Sequence, residues 1–183
     1  SVNIEYNAFL DKFGEEGNLI IIGLHNNVLF TPKAYKAWDE MMLSLQKNKE
    51  TDVVLSISNL KKLTKNDSLQ TFELTNFVNL KKTTDPAYLK KIQKELFNDL
   101  PFYEGLLFNK KSGSIRAAVY LDKAIVNTPA RQDFIVHKLI PEMKLFKEKT
   151  GIDLRVSGMP YIRTMNAQTI ISEIGLFIGM SLL

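Results

Sequence analysis

Apolar residues recur along this chain with two different periods, and the changes between them mark its elements. Ile4, Ala8, Phe9 and Phe13 fall near helical spacing, and Gly14 and Gly17 follow as helix-ending residues. Asn18–His25, "NLIIIGLH", is a short continuous branched run between turn residues. It predicts a strand buried on both faces. Asn26 and Asn27 mark a turn. Thr31 and Pro32 then open a helix as N-cap and first helical residue. Ala34, Tyr35, Trp38, Met41, Met42 and Leu45 follow at steps of three and four, which puts them on one face. At that spacing the methionines and the tryptophan read as core rather than as a ligand groove. Asp52–Ser58 is a second strand.

The pattern loosens from Asn59 to Gly113. This stretch holds a helix capped by Asp85 with Pro86 in its first turn, then "LPFYEGLLF", then a turn at "NKKSGS". Ser114–Asp122 is a third strand. Thr128 and Pro129 repeat the Thr-Pro opening, Ile135, Leu139, Met143 and Phe146 supply an apolar face, and Gly151 closes the helix. Pro141 lies inside it. A proline there removes the bond to the His137 carbonyl and predicts a kink. Ile152–Gly158 is a fourth core strand. The predicted fold is α+β with a ferredoxin-like split βαβ order: β-α-β, an insertion, then β-α-β. Its core is 18–58 and 114–158, and its insertion is 59–113. Right-handed crossovers place both helices on one face of a four-stranded antiparallel sheet.

The last segment behaves differently. Ile174–Leu183 carries no charge, and Thr169–Leu183 carries only Glu173. A spanning helix needs about 20 apolar residues, and this run is shorter. Two readings follow: an amphipathic helix packed on the core, or the first turns of a transmembrane helix.

Composition narrows the chemistry. The chain has 183 residues and no cysteine, which removes disulfides, thiolate metal sites and a cysteine nucleophile. Its net charge of +4 is carried between Asn59 and Ser112, where ten lysines face six acidic residues. All ten cations are lysine, whereas nucleic-acid readers add arginine for bidentate contacts, so the segment reads as a solvated surface. His25 and His137 are far apart, and no metal-ligand spacing or glycine-rich phosphate loop occurs. Asp39 and Glu40 are helix neighbours and point to different sides. No catalytic constellation is predicted.

"GIDLRVSGMPYIRT" followed directly by an apolar helix resembles the exit from a porter domain into a membrane helix. The family is the resistance-nodulation-division (RND) superfamily of exporters, in its MMPL/Patched-like branch. "YNAFLDKFGEEGNLIII" is similar to the start of that domain, and "LPFYEGLLFNKKSGSIRAAVYLD" to its middle section. The likeness covers nearly the whole chain. It implies a protein of two similar halves, each with one membrane helix, an extracytoplasmic porter domain and five more helices. Residues 1–168 would be a porter domain, the first of the two, on the periplasmic side of the bacterial inner membrane. Residues 169–183 would be the start of a truncated transmembrane helix, with Glu173 near the membrane boundary.

The resemblance further implies proton-driven export by acidic residues inside membrane helices that lie outside this segment. The segment itself is expected to be no enzyme and to hold no cofactor or metal. Its implied partners are the membrane, the second porter domain of the same polypeptide and a hydrophobic or lipid-like substrate, and not nucleic acid. Phe102, Tyr103 and Phe108 of the insertion are the candidates for the substrate path. The alternative is a free-standing ferredoxin-like ligand-binding or regulatory module with a C-terminal amphipathic helix.

Overall fold

The computed structural model describes residues 16–66 and 71–181. The helix expected from Ile4 to Phe13 lies outside the described residues. After a short 3-10 turn come strand β1 (Leu19–His25) and the one-turn helix α1 (Asn26–Leu29), followed by helix α2 (Pro32–Gln46) and strand β2 (Thr51–Leu55). The insertion holds strands β3 (Lys61–Asn66) and β4 (Thr71–Asn76), helix α3 (Pro86–Asp99) and the two-residue strand β5 (Phe108–Asn109). Then come strand β6 (Ser114–Leu121), helix α4 (Pro129–Phe134), a π-helical turn (Ile135–Leu139) and helix α5 (Ile140–Thr150). Strand β7 (Arg155–Ser157) and helix α6 (Met159–Ser181) complete the order.

The fold is α+β. Its main sheet runs β2-β6-β1-β7, with β5 paired to β6, and every pairing is antiparallel. The two strands of each half are thus separated by one strand of the other half, which is what a split βαβ order requires. Ile20, Ile22 and Leu24 of β1 point to the same face as Ile115, Ala117, Val119 and Leu121 of β6, and all are buried. Helices α2 and α5 pack there, with Trp38 and Phe146 meeting edge to face at 6.2 Å between ring centroids.

Several expectations are corrected. β1 is not buried on both faces. Its burial alternates, because Leu19, Ile21 and Gly23 look onto the opposite side of the sheet, where no helix layer fully covers them. The turn expected at Asn26 and Asn27 is one turn of helix, capped by the His25 ring, which accepts from the Asn27 N–H at 3.4 Å. The second strand begins at Thr51 and ends at Leu55, with a register shift between Thr51 and Val53. The fourth strand is three residues long and lies at the sheet edge; only Val156 is half-buried.

The two Thr-Pro openings also differ. The Thr31 hydroxyl accepts from the Ala34 N–H at 3.3 Å and caps α2. Thr128 makes no such cap; its hydroxyl donates back to the Ile125 carbonyl at 2.9 Å. Pro141 is accommodated by the π-helical turn just before it, where the Ile140 N–H reaches the Ile135 carbonyl. The wider turn absorbs the hydrogen bond that a proline cannot donate. Gly151 ends α5 in the left-handed conformation, its N–H bonded to the Lys147 carbonyl at 2.7 Å.

The insertion carries more order than its sequence pattern predicts. β3 and β4 form a separate two-stranded ribbon in which the Thr64 and Thr75 hydroxyls lie 2.7 Å apart. α3 is capped by Asp85, whose carboxylate accepts from the Ala87 N–H at 2.8 Å. Its Leu89, Ile92 and Leu96 join the same apolar core as the sheet.

Candidate functional site

Two features of the described residues stand apart from plain core packing: helix α6 and the aromatic corner of the insertion. α6 starts hard against the sheet. Gly158 sits at φ 119°, and a Cβ there would overlap the Leu19 carbonyl oxygen and lie 3.0 Å from the Ile20 Cα. Only glycine fits both the conformation and the gap. Pro160 follows within the first turn, where its missing N–H costs nothing. Pro160 and Thr164 are buried and Tyr161 is half-buried, so the first turns of α6 are fixed against β1, β7 and α4.

Beyond those turns, from Thr169 to Ile174, no layer covers the helix. Every residue from Thr169 to Ile174 is exposed. Ile170 is 56% exposed, Ile171 65% and Ile174 54%, and Met180 on another side is exposed as well. Ile170, Ile171 and Ile174 fall within about 100° of the helix circumference, and Met180 lies outside that arc. The Thr169 hydroxyl donates to the Met165 carbonyl at 3.1 Å, and the Ser172 hydroxyl to the Thr169 carbonyl at 2.8 Å. These side chains satisfy their own donors within the helix. Glu173 is the only charged residue of the exposed shaft and is itself exposed. No helix among the described residues is long and apolar enough to cross a membrane.

The three aromatic candidates of the insertion separate. Phe108 is fully buried on β5, its ring 5.0 Å from that of Phe97. It is core. Phe102 is 84% exposed and meets Tyr103 edge to face at 5.1 Å. Tyr103 is half-buried and its hydroxyl donates to the Lys61 carbonyl at 2.9 Å, tying this corner to the β3–β4 ribbon. The structure therefore brings Phe102 and Tyr103 together and leaves Phe108 behind them. Phe108 lies on β5, where it pairs with Ile115 of β6.

Three perturbed titratable groups lie on α2, and burial also raises the Tyr120 phenol on β6. Burial pushes the Tyr35 phenol far above its ordinary value. Burial also raises the Asp39 carboxyl, and the neighbouring Ser58 hydroxyl opposes that shift. Glu40, one residue on, points outward to Lys149 at 2.7 Å, and that bond lowers its carboxyl. The two acids do face different sides, as their adjacency on a helix demands. Tyr35 and Asp39 of α2 lie beside Ser58 in the loop after β2. His25 and His137 are both exposed, and His137 lies 3.9 Å from Asp133. Among the described residues no three His, Asp or Glu side chains come together as a metal site. The lysines of the insertion are mostly exposed, though Lys62 lies over the Phe77 ring at 5.8 Å.

No family model, curated protein or solved structure matches the chain.

Proposed function

We propose that this chain is the extracytoplasmic porter domain of a proton-driven exporter of the RND superfamily, in its MMPL/Patched-like branch. The observation that carries the reading is α6. A rigid glycine-proline junction sets a helix against the sheet, and the helix then leaves the domain with Ile170, Ile171 and Ile174 exposed. Such surface is costly in water, at about 25 cal/mol per Å² of apolar area left uncovered. It is matched where the helix enters the boundary of a bilayer. In this reading the domain lies on the periplasmic side of the bacterial inner membrane, catalyses nothing and moves against the second porter domain of the same polypeptide. Phe102, with Tyr103 behind it, faces the path of a hydrophobic or lipid-like substrate.

The test is the coding sequence on either side of this segment. Apolar spans before Ser1 and after Leu183 are expected; a stop codon after Leu183 together with a start or leader just before Ser1 would overturn the reading. Transport left intact by Phe102→Ala would remove that residue from the path. The buried first turns of α6 favour a second reading, a free-standing ligand-binding or regulatory module that uses the helix to cover its own core. In that case deletion of the shaft should unfold the domain.

A further inference from the structure

The sheet face opposite α2 and α5 has a gap at its centre. Gly23 is the register partner of Arg116 on β6 and of Arg155 on β7. Cross-strand partners share a face, so the two arginines flank a residue with no side chain. Strand spacing puts their Cα atoms about 10 Å apart. A groove of about 750 Å³ opens over them. Ile21, Val28 and Ile152 line its apolar part, and Ser114 and Ser157 its polar part. That volume lies within the roughly 300–1,000 Å³ of small-molecule sites.

The charge here is one-sided. Arg116 donates through Nη1 to the Gly105 carbonyl at 3.0 Å, which steadies the side chain, and its other donors have no partner among the described residues. Arg155 is exposed and has no acidic partner among the described residues. Asp153 also lines the groove, but Lys147 holds it at 2.6 Å.

We propose that this groove binds a small organic oxyanion, a carboxylate or phosphate, held between Arg116 and Arg155 above Gly23. An apolar body attached to the oxyanion lies against Ile21, Val28 and Ile152. Arginine forks suit planar and tetrahedral oxyanions alike and can engage them through two N–H donors at once. Gly23 keeps the space open. A Cβ at this position would stand 3.5 Å from the Ile115 carbonyl oxygen and 3.9 Å from the Arg116 Cγ, both ordinary contacts. The strand therefore has no steric need for glycine, and a side chain there would fill the gap. The inference does not rest on the exporter reading, since it concerns binding by this chain alone.

The test is calorimetric titration of the full chain with octyl phosphate, octanoate, octanol and inorganic phosphate. Saturable binding of the anionic probes is expected, with octanol excluded. Arg155→Gln, at an exposed position, should weaken binding about tenfold. Gly23→Val, which suits a strand, should abolish binding while the melting temperature holds. Inorganic phosphate binding as tightly as octyl phosphate would identify a free-anion site, and a preference for octyl phosphate an amphiphile site. Either supports the oxyanion cradle. Absence of saturable binding to every anionic probe, or binding that survives both substitutions, overturns it.

Discussion

The chain contains two isoleucine-rich runs of similar character with opposite fates. In β1, Ile20 and Ile22 are completely buried. In α6, Ile170, Ile171 and Ile174 are each more than half exposed. The difference is not hydrophobicity but the presence of a second layer. β1 is central in a sheet that α2 and α5 cover, so its alternate residues lose their water. α6 is anchored by its first turns, and from Thr169 to Ile174 every residue is exposed. An apolar run therefore gives a core element only when the topology brings another element over it; otherwise it marks a surface with work elsewhere.

The contrast can be broken most severely at the junction between the two regions. Gly158→Val forces a side chain into a left-handed conformation and into the β1 backbone. Urea unfolding should show a loss of at least about 3 kcal/mol. Next is the direct pairing of the two runs. Ile22→Ala should cost about 2–5 kcal/mol through the cavity it leaves. Ile171→Ala should change stability by no more than about 0.5 kcal/mol. Equal losses at both positions would show that α6 is packed in solution. A smaller effect distinguishes the two Thr-Pro openings. Thr31→Ala should cost about 1 kcal/mol as a lost cap, and Thr128→Ala only a few tenths.

The smallest effect is a pH dependence at Asp39. Its folded carboxyl titrates above its unfolded value of 3.8, so the native state holds the proton more tightly. The resulting stabilisation is fully present below pH 3.8 and is lost as pH rises through the raised folded value. Asp39→Asn removes the charged form, so it should gain stability relative to the wild type above that window and not below it. Paired unfolding curves at pH 3 and pH 7 check the sign.

Where local chemistry decides, the fold was legible in the sequence. Thr31-Pro32, Asp85-Pro86 and Gly151 carry their own stereochemical instructions, and α2, α3 and the end of α5 lie where those residues place them. The α+β class was readable from the order of those elements. Features that depend on distant partners were not. The alternation of β1 hides behind an all-apolar string, because its second face is half-covered rather than polar. β3 has lysines and threonine where an alternating apolar pattern would announce a strand, and β4 alternates only at Phe72 and Leu74. Pro141 announced a disturbance, but whether a kink or a π-helical turn takes it up depends on how α5 packs against α2. Phe108 looked like its exposed neighbour Phe102 until the return of β6 buried it. The groove across Gly23 needs the register of three strands, which no local pattern supplies.

The most direct test of the account is the thermal unfolding of the chain with and without residues 169–183, each measured alone and with liposomes. If α6 beyond its first turns belongs to a bilayer rather than to the core, the melting temperatures should agree within about 2 °C and only the longer chain should bind vesicles. A fall of about 5 °C or more on deletion, with no vesicle binding by either form, would contradict the account and return α6 to the domain's own core.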